Sequence, residues 1–204
     1  MCRPAFAVSP HEGADRGRGV SSSGGRRGRS GVSELRNRSQ RTLCASHLGS
    51  IFLGTTAYQQ TFADSLPFAG GVAGAAWLPG GEGGATYASN SRHPYLLVKL
   101  RLGPKPKDFI CPGSADAEPM AGDQLAGHED FVAARNVSYD SLNLTGPSPH
   151  LRPPVAIAYM GDTNPLFVGA RFNEAVDPTR TNSPAHRGRG QTVLLLNGSV
   201  QFVR

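Results

Sequence analysis

Between Ser33 and Gln60 the apolar positions return every three or four residues, at Leu43, Leu48, Ile51, Phe52 and Tyr58, with His47 and Thr55 on the same face. That period belongs to an α-helix with one buried side, and Ser33-Glu34-Leu35 offers it an opening. Gly49 and Gly54 each weaken such a helix by roughly 1 kcal/mol relative to Ala, so tertiary contacts rather than propensity are expected to hold it. A second, shorter helix is predicted over Tyr95–Leu100, capped by Asn90 or Ser91 and stopped by Gly103-Pro104. A strand over the same residues is the alternative reading. Pro67 to Gly84, rich in Gly and Ala around Trp77, reads as loop.

Downstream the pattern changes to short β-type runs. Phe109-Ile110-Cys111-Pro112 reads as a strand closed by proline, and Ala115 to Glu129 as a polar loop. Val132–Leu142 and Val155–Tyr159 are two more strand candidates, joined by the proline-rich link Pro147 to Pro154. Asp162-Thr163-Asn164-Pro165 carries turn chemistry. At the C-terminus two β-favouring runs flank Asn197-Gly198, a dipeptide suited to a two-residue type I′ turn because both central positions need positive φ. Zipping outward from that turn pairs Leu195 with Val200 and Val193 with Phe202. Side chains alternate along a strand, so Val193, Leu195, Val200 and Phe202 are expected to form one buried face.

Composition adjusts this picture at one end only. The chain has 204 residues, 38% hydrophobic, with 26 Gly and 16 Pro, which fits one loop-rich domain plus a tail. The formal charge of +6 is uneven: residues 1–40 carry +5 and the remainder +1. From Met1 to Val32 the sequence is mostly Arg, Gly and Ser and cannot bury enough surface to offset the cost of ordering its backbone. Residues 1–32 are therefore expected to be a disordered tail, and residues 33–204 an α+β domain. Arg-Gly runs can hold nucleic acid by counterion release, yet base-stacking aromatics other than Phe6 are missing. A nucleic-acid-binding protein using residues 16–41 is the alternative function, and nucleic acid is not the expected partner. No apolar run is long enough for a membrane helix, and Met1-Cys2-Arg3-Pro4 does not open a secretory signal.

Several segments taken together resemble the bacterial prepilin-type processing-associated proteins. They are Asn182 to Phe202, with His186 ahead of the Asn197-Gly198 turn; Arg41 to Ile51; Phe109 to Ser114, with Cys111 and Pro112; and Asn136 to Tyr139. The resemblance covers roughly residues 34–204. Here Asn197 stands where that family has Asp, and ten rather than nine residues separate it from His186. Family members open with a cleavable leader and a hydrophobic helix that residues 1–33 do not show, so either the start is displaced or the chain is a soluble paralogue. The resemblance implies a pilin-like fold, an N-terminal helix packed on an antiparallel β-sheet with a C-terminal hairpin. It also implies a place in the cell envelope or outside it, and homo- or hetero-assembly through the helix.

Candidate chemistry is sparse. His186 could serve as a general acid or base, but no partner or nucleophile stands at recognisable spacing, so it is expected to be structural, bonding the backbone that enters the hairpin. The neighbouring Arg187 and Arg189 are expected to favour its neutral form. Asp162 with Asn164, or Asp140 with Asn143, could offer oxygens to calcium, though such pairs also make ordinary turns. Cys2, Cys44 and Cys111 show no zinc-ligand spacing. Two unpaired thiols are expected, with a Cys44–Cys111 bridge as the alternative, and Cys111 is expected to be a buried small hydrophobe. The sequence thus points to a non-enzymatic protein with no catalytic residues, no cofactor and no bound metal.

Overall fold

The computed structural model describes residues 26–70, 89–144, 156–168, 171–177 and 180–204. Of the expected loop Pro67 to Gly84, residues 71–84 with Trp77 lie outside them, as do the link at 147–154, Val155 and the tail before Arg26. Helix α1 spans Arg26–Thr61, so it starts earlier than Ser33, and residues 26–32, assigned to the tail by composition, are helical. Helix α2 spans Arg92–Lys99, which decides the ambiguous second segment for helix. Ser91 stands at its N-cap but makes no side-chain cap bond; its hydroxyl donates instead to Asp130 Oδ1 at 2.7 Å.

Among the described residues six strands follow: β1 (Tyr139–Ser141), β2 (Ala158–Asp162), β3 (Phe167–Val168), β4 (Arg171–Phe172), β5 (Gln191–Leu195) and β6 (Val200–Val203). β1-β2-β5-β6 form an antiparallel sheet in that order, and β3-β4 a separate ribbon. The architecture is therefore α+β, with α1 laid across β5 and β6 and beside the 3-10 turn Pro106–Phe109. The core lies between them, where Cys44, Leu48, Ile51, Tyr95, Phe109, Tyr139, Met160 and Leu194 are sealed from solvent. Phe131 meets both Tyr95 and Phe109 with ring centroids 5.1 Å apart.

Several expected strands shorten or disappear. Pro106–Phe109 is a 3-10 turn and Phe109-Ile110-Cys111-Pro112 is not a strand, because Asp108 accepts the Lys105 N–H at 2.9 Å and coils the chain before it can extend. Of Val132–Leu142 only Tyr139–Ser141 enters the sheet; Ala134–Asn136 is another 3-10 turn. β2 runs on through Asp162, which is thus a strand residue rather than the start of a turn.

The largest correction concerns the hairpin. Leu194 pairs with Val200, Val193 with Gln201 and Thr192 with Phe202, one residue away from the expected register. The connection is three residues long. Gly198 N–H donates to Leu195 O and Leu195 N–H to Ser199 O, both at 2.9 Å, and Gly198 alone takes positive φ, +86°. This is the turn-plus-glycine form of hairpin rather than the type I′ form. A one-residue slip exchanges the faces. Thr192 and Leu194 are buried opposite Phe202 and Val200, while Val193 and Leu195 are only half-buried. Phe52 of α1 helps impose the slip by filling the space beside the turn: a Cβ on Gly198 would come within 2.5 Å of its ring.

Candidate metal centre

Four side chains from four separate segments converge beneath α1. Cys44 lies on the buried face of that helix, Cys111 follows the Pro106–Phe109 turn, Asp162 ends β2, and His186 ends the 3-10 turn Pro184–His186. All four are buried, and one potential ligand atom from each lies within 4.8 Å of the others. Cys44 Sγ is 3.2 Å from Asp162 Oδ1, Cys111 Sγ is 3.6 Å from His186 Nε2, and His186 Nε2 is 3.0 Å from Asp162 Oδ2. Both thiols are free, so the bridge is not formed.

Local structure explains the convergence. On α1, Gln40 donates to Pro112 O at 3.0 Å and His47 Nδ1 lies 2.9 Å from Ile110 O, which fixes the Cys111 segment against the helix on either side of Cys44. Cys111 N–H donates to the Ser138 hydroxyl. The turn after Cys111 presses against the His186 turn so closely that a Cβ on Gly113 would come within 2.0 Å of Ala185 O. Ser183 caps the His186 turn by accepting the Ala185 N–H, and Arg187 and Gly188 leave it with positive φ.

A surrounding layer of donors holds the four in place. Asp162 Oδ2 accepts the Thr192 N–H at 2.5 Å, leaving Oδ1 toward Cys44. Tyr139, paired with Asp162 across β1 and β2, puts its hydroxyl 3.3 Å from Cys44 Sγ. Gly113 N–H donates to Cys111 Sγ at 3.4 Å, a contact that favours a thiolate. Thr192 Oγ1 is 3.3 Å from His186 Nε2. Phe202 meets the imidazole edge-on, centroids 5.5 Å apart, and the Arg41 guanidinium covers Phe202 at 3.9 Å.

The Asp162 carboxylate dominates the electrostatics of this buried space. Burial would raise the Asp162 pKa, but hydrogen bonds from His186 and the Thr192 N–H outweigh it and hold the group low. Burial pulls His186 down, and bonding to Asp162 and Cys44 lifts it instead to about 9. The expectation that Arg187 and Arg189 keep it neutral is overturned, since both arginines are exposed and the buried carboxylate dominates. A hydrogen bond from Cys111 lowers Cys44 to about 6, while Cys111 itself is pushed up.

The expected sites redistribute. His186 and Cys111 enter the cluster, and Cys111 is fully buried. Pro112 flanks it. Asn197 and Gly198 stay at the hairpin turn, where Asn197 Oδ1 accepts the Ser199 N–H at 3.0 Å. His186 Nε2 faces Asp162, Cys111 and Thr192, the last of these in the strand that enters the hairpin. Of the calcium candidates, Asp162 faces sulfur and imidazole, Asn164 Oδ1 accepts the Leu166 N–H, and Asp140 accepts the Asn164 N–H at 2.9 Å. No zinc-ligand spacing marks this group in the sequence, because the four donors are remote along the chain, Cys44 and Asp162 by 118 positions. Sequence reasoning named Cys44 only as a thiol that is unpaired or bridged to Cys111, not as a site residue; its place on the buried face of α1 was the available signal.

A second feature lies on the other side of α1. Val32 and Leu53 are 70% and 71% exposed, and Leu35 and Leu43 are exposed with them. At the helical period these four fall within one arc, roughly 145° from the arc of Cys44, Leu48, Ile51, Thr55 and Tyr58. Among the described residues no helix is long and apolar enough to cross a membrane. No family model, no curated protein and no solved structure matches this chain.

Proposed function

We propose that this chain is a non-enzymatic, pilin-like subunit of the cell envelope that acts through assembly contacts made by α1. The exposed stripe Val32, Leu35, Leu43 and Leu53 carries the reading: a helix already anchored by one face keeps a second apolar face, as a helix does when it packs against like helices. The α+β architecture and the segments that resemble prepilin-type processing-associated proteins support the same role. The burial of His186 and both core thiols supports a structural rather than catalytic use for them, since substrate would have no approach to them.

The test is self-association of the full chain by light scattering over a wide concentration range, with fractionation of cells expressing it. Wild type should associate and accompany the envelope fraction. The Leu35→Glu/Leu53→Glu double variant should be monomeric with an unchanged melting temperature. A wild type that stays monomeric at every concentration and in the soluble fraction overturns the proposal.

A further inference from the structure

We propose that Cys44, Cys111, Asp162 and His186 form a closed structural site for a divalent zinc ion that clamps α1 to the sheet. The donor set is the first argument. Two thiolates and an imidazole select a borderline-soft metal, and with one carboxylate they complete the four-coordinate shell typical of structural zinc. Calcium and magnesium, which require oxygen shells, do not fit it.

Distances are the second argument. Zinc bonds of about 2.3 Å to sulfur and 2.0–2.2 Å to nitrogen or oxygen place the edges of a tetrahedron at roughly 3.3–3.8 Å. Two edges, 3.2 Å from Cys44 Sγ to Asp162 Oδ1 and 3.6 Å from Cys111 Sγ to His186 Nε2, are already within a few tenths of an ångström of these values, and all four ligand atoms lie within 4.8 Å of one another, a spread that closes by about 1 Å around an ion. The outer layer has the form that metal sites need: the Gly113 N–H on Cys111 Sγ, the Tyr139 hydroxyl on Cys44 Sγ and the Thr192 N–H on Asp162 Oδ2 each orient a ligand.

Binding is proton exchange. Whatever protons the two sulfurs and the imidazole Nε2 carry leave to solvent as two zinc–sulfur bonds and one zinc–nitrogen bond form, with the carboxylate as fourth ligand. The cation takes over the neutralising role that the imidazolium proton otherwise performs. All four ligands come from protein and all are buried, so no coordination position faces water, which marks the ion as a clamp and not a catalyst. Because the ligands join α1, the Cys111 loop, β2 and the turn before β5, one ion would tie together the segments that build the core.

The experiment uses the full chain purified under reducing, anaerobic conditions, with Co²⁺ as optical probe and Zn²⁺ as competitor. One Co²⁺ per chain should bind, with the visible bands of tetrahedral coordination and sulfur charge-transfer bands. Zn²⁺ should displace it and raise the melting temperature, whereas Ca²⁺ and Mg²⁺ should do neither. His186→Ala and Cys111→Ser should weaken binding at least about 100-fold. Should those variants fail to fold, Asp162→Cys is the independent check: it should retain metal and strengthen the sulfur charge-transfer bands. Wild type that binds neither ion at micromolar concentration, or whose Cys44 and Cys111 are recovered as a disulfide, overturns the proposal.

Discussion

Nε2 of His186 stands 3.0 Å from Oδ2 of Asp162, and both side chains are almost wholly withdrawn from solvent. An imidazolium and a carboxylate so placed each supply what the other loses on leaving water. Removing one partner strands a buried charge, a change that costs about 3–5 kcal/mol when a buried pair is broken. Asp162→Ala should therefore lower the unfolding free energy by that order, measured by urea denaturation with EDTA present so that only the protein's own interactions are read. A loss below about 1 kcal/mol would show that the pair does not stabilise the fold.

Gly113 permits the Cys111 turn to touch the His186 turn. A Cβ there would meet Ala185 O at 2.0 Å, a contact relieved only by moving backbone. Gly113→Ala should destabilise the chain by about 1–3 kcal/mol, the range for overpacking, and should shift the His186 ring resonances in an NMR spectrum. Unchanged His186 resonances would mean that the two turns are not coupled.

At the hairpin the two turn residues should behave differently. Asn197 contributes an oxygen that accepts from the Ser199 N–H and hydroxyl, which a carboxylate can do equally well. Asn197→Asp should stay within about 0.5 kcal/mol of wild type. Gly198→Ala combines a φ of +86° with a 2.5 Å approach to Phe52 and should cost at least about 1 kcal/mol. Thermal melts of the two variants check the contrast, and equal melting temperatures would refute the hairpin geometry.

His93 provides a pH dependence away from the cluster. Burial first, and then the charge of Arg92, lower its pKa from 6.5 to about 4, and in its neutral form Nδ1 accepts the Ala69 N–H at 3.0 Å. The unfolded chain protonates nearer 6.5, so it binds more protons than the folded chain between those values. The contribution of His93 is thus complete above about pH 6.5 and is lost as pH falls toward 4. Urea midpoints over that interval should fall more steeply for wild type than for His93→Gln. Parallel curves would refute the assignment.

Several elements were legible in the sequence because they depend on neighbours along the chain. The three- and four-residue recurrence read from Leu43 to Tyr58 required α1 and named its packing face from Leu48 onward, whereas Leu43 itself lies on the exposed side of the helix. Tyr95 to Leu100 between Ser91 and Gly103 marked α2, and Asn197-Gly198 marked the terminal hairpin. Its register was not legible, since a two- and a three-residue connection both suit that dipeptide. Packing chose between them, with Phe52 against Gly198 and Leu194 in the core.

The residues alone thus determined the helices, the turn and the α+β class, all of which follow from periodicity and local backbone preference. Only the tertiary structure decided which hairpin face is buried, and only it gathered Cys44, Cys111, Asp162 and His186. The register depends on shape complementarity with α1, a contact between segments far apart in the chain. The cluster depends on four such segments meeting at one point, with Cys111 and His186 75 positions apart, and no spacing along the sequence encodes a meeting of that kind.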